Sequence, residues 1–332
     1  MVNRRGAART DLLAMLATLA IAAALILCAG RQMRQDALTA SSLSQLRWIA
    51  GATESYAADN GDLYWNYSWK AGTTPSAYPD LRSASSDLIA AAYQAIDILR
   101  RRGRPDMPPI GGWIPHAQYS HLPLLDYLDR DIPDFNFVSP ADANRLAWAR
   151  DPAGFDAGAF LPLQPPPSDT SKRWPYSASF EQGPAFFDQG RSSSRIAQGA
   201  TQAQYLIPGT AVLGAWRISD VAYPSQKAHI YDTAQRDRGS AELFFLDDDR
   251  SADVPVAMAD GSAATGAAAN ANAGWRPNQP TSPLPSSFQY DPRPWDPQGT
   301  PPSSLLTGHY RWTRGGILGR DFGAPEIDTG QP

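Results

Sequence analysis

A chain of 332 residues is long enough for one large domain or two small ones, with a sizeable buried core. Apolar residues make up 42% and charged residues 19%, and a net charge of -4 with no basic stripe argues against a nucleic-acid partner. The single cysteine, Cys28, excludes an intrachain disulfide and a cysteine-built zinc site. Thirty prolines in no repeating pattern imply much irregular chain, since proline fixes φ and donates no ladder hydrogen bond.

From Leu12 to Gly30 the chain carries no charge and is mostly Leu, Ala and Ile. As a helix this run spans roughly 28 Å, close to the hydrocarbon thickness of a bilayer. Arg4, Arg5 and Arg9 precede it and Arg31 and Arg34 follow. The positive-inside bias favours a cytoplasmic N-terminus. Three processing fates share this pattern. The run is an uncleaved anchor, or the h-region of a signal peptide cut at Cys28-Ala29-Gly30, or an anchor that loses a short leader. A lipoprotein reading of Cys28 is disfavoured by Leu27 just before it.

Two features separate these fates. Asp11 sits against the start of the apolar run, where a lone carboxylate costs a few kcal/mol and normally has a partner or a function. The helical pattern also continues past the membrane: Leu38, Leu43, Leu46, Ile49, Ala50, Thr53 and Tyr56 recur at mostly three- and four-residue steps, and Asn60-Gly61 supplies the stop. Leu12 to Ala58 therefore reads as one helix of about 70 Å.

These residues resemble bacterial type IV pilins and pseudopilins, whose basic leader ends in Gly and is followed by an acidic residue at mature position five. On that resemblance the leader is residues 1–6, the cut falls between Gly6 and Ala7, and Asp11 takes the acidic position. The family's acidic residue is usually Glu. The resemblance implies that it pairs with a neighbouring subunit's N-terminal amine during assembly, fixing axial register where apolar packing cannot. A local Asp11–Arg9 pair is the alternative. The chain departs from the pattern at Ala7, where Phe is usual, and at Arg9, where an apolar residue is. The segment Ser41 to Tyr64, SSLSQLRWIAGATESYAADNGDLY, is similar to the stretch before the head in a prepilin-like family abundant in planctomycetes.

A second helix is expected over Asp87–Arg102, capped by Ser85 or Ser86, with Leu88, Ala92, Ala95 and Leu99 as its stripe and Arg100 to Arg102 complementing its negative end. Between Pro105 and Pro224 prolines break the chain into short pieces. Leu122 to Leu128 reads as a helical turn, and Ala159 to Pro167 and Asp188 to Ala200 read as loops. Ala228 to Tyr231 and Glu242 to Leu246 read as strands, and Val254 to Ala259 as a strand entering a hairpin at Asp260-Gly261. The order from Arg217 to Ala263 echoes the late strands of the same prepilin-like family. After Thr265 the composition turns to Ala, Asn, Pro and Trp. That segment reads as an extension draped on the head, re-entering the sheet near residues 310–318.

The expected architecture is α+β, a pilin-like long helix packed on a small antiparallel sheet with Pro-rich insertions. Its parts are a leader (1–6), a transmembrane helix (7–30), its amphipathic continuation (31–61), a head (62–264) and a C-terminal extension (265–332). No G-x-S-x-G, Walker A or G-x-G-x-x-G motif occurs, and His116, His121, His229 and His309 are scattered. Glu181 and Asp188 form a carboxylate pair only on paper. Asp247, Asp248, Asp249 and Asp253 are the best metal candidates, suited to calcium by their hard oxygens although without EF-hand spacing.

The functional expectation is a non-catalytic membrane subunit of a type II secretion or type IV pilus-like assembly. A prepilin peptidase would process it, its head would be extracytoplasmic, and its partners would be pilin-like subunits of its own or another kind. Two rivals are a membrane-anchored carbohydrate- or surface-binding module, marked by clustered exposed Trp, and a secreted hydrolase with a cleaved signal.

Overall fold

The computed structural model describes residues 4–202, 205–236, 252–279, 284–296, 304–309 and 311–324, with backbone alone for 4–13 and 304. Its first element, α1 (Arg4–Asp59), is one unbroken helix of 56 residues, as the continuous stripe predicts. It ends where Asn60-Gly61 requires: Gly61 has a φ of 69°, and the Asp62 N–H donates back to Ala57 O at 2.8 Å.

The short pair β1 (Gly72–Thr73) and β2 (Ser83–Ala84) leads into α2 (Asp87–Arg102), which has the bounds expected from sequence. The Ser86 side chain accepts from the Ile89 N–H and Gly103 closes the other end. Arg100 to Arg102 are more than a dipole complement, because each reaches a carboxylate: Arg100 meets Asp80 at 2.7 Å, Arg101 meets Asp97 and Asp126 at 2.7 and 2.9 Å, and Arg102 meets Asp126 at 2.9 Å. Asp126 lies in α3 (Leu122–Tyr127), so the Arg101 and Arg102 pairs to it fasten α2 to α3. Two further helices, α4 (Ala143–Arg150) and α5 (Pro152–Asp156), are capped by Asp142 and Asp151.

Three short strands follow: β3 (Phe180–Gln182), and β4 (Ala197–Gln198) paired with β5 (Tyr205–Leu206). Then come β6 (Ala228–Asp232), β7 (Asp253–Met258) and β8 (Ala263–Ala267). The central sheet has the order β3-β6-β7-β8 and every neighbour is antiparallel. The β7–β8 turn is the Asp260-Gly261 hairpin expected from sequence. Gly261 is required there by its backbone, whose φ is 81°. The expected strand at Glu242 to Leu246 lies outside the described residues.

The chain closes with the hairpin β9 (Ser287–Tyr290) and β10 (Ser304–Thr307). Among residues 311–318 no strand forms, contrary to the expected re-entry into the sheet. Gly315 and Gly316 both take positive φ and turn the backbone into a 3₁₀ turn instead. This segment nonetheless buries Arg311, Trp312, Thr313 and Ile317.

The architecture is thus an α+β mix of one long N-terminal apolar helix and small antiparallel sheets. Its main core gathers Leu46, Ile49 and Ala52 of α1 with Ala92, Ile96 and Leu99 of α2, Phe180, Ile230 and Ala257 of the sheet, and Trp312. Two fully buried ion pairs tie late chain to the sheet. Arg311 binds Glu181 of β3 through two 2.8 Å hydrogen bonds. Lys227 meets Asp321 at 3.1 Å and also contacts Thr313, while Asp321 accepts from the Ala228 N–H at 2.9 Å.

Burial also neutralises histidines. His121 packs against Phe137, and His229 against Tyr64 and Phe186; they are 4% and 2% exposed. Burial pushes the pKa of each down to about 3, helped at His229 by the Lys227 charge and opposed at His121 by a hydrogen bond from its ring to the Tyr176 backbone carbonyl. Below about pH 6.5 the unfolded chain protonates these rings while the folded chain does not. Stability is therefore lost as pH falls toward 3, by about 1.4 kcal/mol per pH unit for each ring. Asp188, Asp232 and Asp296, whose pKa values burial raises, act in the opposite sense. Replacing His229 with Phe removes one ring and leaves those carboxylates in place. Between pH 7 and pH 4.5 the variant should lose about 2 kcal/mol less than the parent in urea unfolding. Parallel pH dependences would show that His229 is protonated in the folded protein.

Candidate functional site: an exposed apolar helix docked on the head

The two halves of α1 have opposite surroundings. From Ala14 to Arg34 every residue is exposed. Leu19, Leu25, Ile26 and Leu27 are each more than 60% open. The charge-free part of this stretch, Ala14 to Gly30, covers about 25 Å at ~1.5 Å per residue, most of the thickness of a hydrocarbon core. A continuous apolar face of this size is unfavourable in water, by about 25 cal/mol per Å² left exposed. In lipid the same face is favourable, because a helix satisfies its own backbone hydrogen bonds. Among the described residues α1 is the one helix long and apolar enough to cross a membrane.

The second half is core. Ser42, Leu46, Ile49, Ala50, Thr53 and Ala57 are buried at helical spacing, against β7, β8 and α3. The predicted stripe thus faces the head, with Leu38, Leu43 and Tyr56 half-buried at its margin. Polar contacts set the docking angle. Gln45 Nε2 donates to Phe135 O at 2.9 Å and Val138 O at 3.1 Å, and Arg47 donates to Ala263 O at 3.2 Å. Trp65 Nε1 donates to Thr53 Oγ1 at 3.0 Å, and Tyr127 OH to Asp59 Oδ2 at 2.6 Å. Sequence pattern did not mark Gln45 or Trp65, because their partners lie in irregular chain or across a loop.

Gly6, Ala7 and Asp11 all lie in the first turns of α1, with helical backbone through the expected cleavage point. Cys28 is exposed within the apolar run. Asp253 opens β7, half-buried, its N–H donating to Gln235 Oε1 at 3.2 Å; Asp247, Asp248 and Asp249 lie outside the described residues. Among the described residues no three His, Cys, Asp or Glu side chains gather as a metal site would need.

Glu181 and Asp188 are both buried, and each is held by its own arginine, Arg311 for Glu181 and Arg195 for Asp188 at 3.6 Å. Asp188 also accepts from the Gly190 and Ile196 N–H groups, which fixes it as a loop organiser. None of the ten tryptophans is exposed, so the clustered open rings expected of a flat sugar-binding face are not seen.

Compared with protein families, curated proteins and solved structures, the chain matches none. What the arrangement itself offers is mechanical: a head rigidly continuous with a helix built for an apolar medium.

Proposed function

We propose that this chain is a non-catalytic, pilin-like (pseudopilin-type) subunit. Its helix resides in the bacterial cytoplasmic membrane and its head stands on the extracytoplasmic side. A prepilin peptidase removes residues 1–6, and the protein joins like subunits in a type II secretion or type IV pilus-like assembly. The observation that carries the reading is the unbroken helix, apolar and exposed in its first half, buried against an antiparallel sheet in its second. A cleaved export signal has no need of a rigid continuation into the head core. A subunit that packs by its helices does, because the head's position along a filament is then set by the helix.

Asp11 supplies the register in this reading. Within lipid a carboxylate seeks an amine, and a new N-terminus at Ala7 of a neighbouring copy provides one.

The deciding measurement is the mature N-terminus, by mass spectrometry of the full chain expressed in a host with a prepilin peptidase. A start at Ala7, N-methylated, is the expected result, and Asp11→Ala should then leave processing intact while abolishing co-assembly. A start near Arg31 would replace the proposal with a soluble exported head. An intact Met1 would leave a membrane anchor alone.

A further inference from the structure

Apart from the helix, the head holds a cavity of about 520 Å³, within the ~300–1,000 Å³ typical of small-molecule sites. It lies between chain segments far apart in sequence. Its lining includes Trp113, His116, Arg173, Trp174, Tyr205 and Arg293, and no carboxylate among the described residues lines it. Trp113, Trp174 and Tyr205 give it aromatic walls, and the Arg173 guanidinium sits 5.4 Å from the Trp113 ring and 5.9 Å from the Trp174 ring.

The cavity is electropositive. Arg145 and Arg311 behind it are tied to Asp142 and Glu181. Arg173 and Arg293, which line it, have no carboxylate within ion-pair distance among the described residues. Arg173 donates to Thr170 O, and Arg293 lies 5.8 Å from the Trp295 ring. Asp296, the carboxylate beside Arg293, accepts from the Arg293 backbone N–H and the Tyr290 hydroxyl, both at 2.9 Å. His116 cannot add to the charge, since burial and then the fields of Arg173, Arg145, Arg293 and Arg311 push its pKa down to about 3. The Gln118 N–H donates to His116 Nδ1 at 3.2 Å, which places the ring proton on Nε2 and makes that atom a neutral donor.

We propose that this cavity binds an acidic sugar, a single saccharide ring bearing one carboxylate or sulfate. The anion lies between Arg173 and Arg293, where two guanidiniums can give charge-assisted hydrogen bonds. The ring's C–H face lies on the aromatic walls, which suit an apolar face with polar edges. Neutral His116 and the backbone near Gly199 are left for hydroxyl groups. The inference is independent of leader processing, so an intact Met1 would leave it standing.

The test is calorimetric titration of the full chain in an uncharged detergent with glucuronate, glucose 6-sulfate, glucose and inorganic sulfate. At least one acidic sugar should bind about tenfold or more tightly than both glucose and inorganic sulfate. Arg293→Gln and Arg173→Gln should each weaken that binding by about tenfold, with the unfolding midpoint of Arg293→Gln unchanged. Binding of glucose as tight as that of the acidic sugars would remove the anion from the site. Equal binding of inorganic sulfate would reduce the cavity to a simple anion trap. No binding by either acidic sugar would overturn the proposal outright.

Discussion

Glu181→Ala and Arg311→Met are each expected to destabilise the head by about 3–5 kcal/mol, because each leaves a full charge buried without its partner. Glu181 is 0% exposed and Arg311 is 3% exposed. Their two hydrogen bonds are both 2.8 Å, and the Tyr205 and Tyr231 hydroxyls donate to the same carboxylate at 2.9 and 3.2 Å. Burial and then the Glu181 charge raise both tyrosine pKa values well above their usual range, so these hydroxyls keep their protons. Burial opposes the charge on Arg311, but its partners, Glu181 first, together outweigh it and the guanidinium pKa rises. Arg311 Nη1 further donates to Gln198 Oε1 at 3.1 Å and Gln202 O at 2.8 Å. The pair thereby holds β3, β4 and the C-terminal segment together. The double variant Glu181→Leu, Arg311→Met should recover much of the loss, since replacing both partners removes the stranded charge. Urea unfolding of the full chain measures all three. Single variants within about 1 kcal/mol of the parent would mean that water reaches this pair.

Trp65→Ala should cost a similar amount, about 3–5 kcal/mol, through the volume it empties. The ring is 1% exposed and belongs to the main core that also holds Leu46 and Ile49 of α1. Its indole N–H is also the partner that Thr53 Oγ1 accepts from. The lost contacts lie where helix meets head, so the variant should also free the second half of α1. Trypsin should then cut at Arg47, which is exposed but held in the docked helix. Trp65→Phe keeps most of the volume without the hydrogen bond and should fall between. Resistance at Arg47 in the alanine variant would show that α1 docks without this ring.

The elements legible in sequence were those whose partners lie nearby or whose pattern repeats. α1, its stop at Asn60-Gly61, α2 with its Ser86 cap, and the β7–β8 hairpin each carry a local signal of several residues. β3 did not. Its three residues, Phe180, Glu181 and Gln182, are all buried, and two of them are polar. The partners of Glu181 are all distant in sequence, Tyr205, Tyr231 and, 130 positions later, the Arg311 that balances its charge. α4 was missed although Asp142 caps it, because prolines on either side made the region read as broken chain. The cavity residues were missed for a related reason, since Trp113, Arg173, Tyr205 and Arg293 share no spacing and meet only in the folded head. For the docked helix, the apolar stripe was readable, but its clamps to the Phe135 and Val138 carbonyls were not.

The late position of two charge partners has a consequence for the order in which the molecule can be completed. A chain emerging N-terminus first presents Glu181 before Arg311, and Lys227 before Asp321. Until those last segments arrive, the central sheet cannot close without stranding a carboxylate and an ammonium in its interior, at several kcal/mol each. Closing such long loops early also costs entropy that only the final contacts offset. Completion of the head therefore waits on its last turns, where Arg311 and Asp321 supply the missing charge partners.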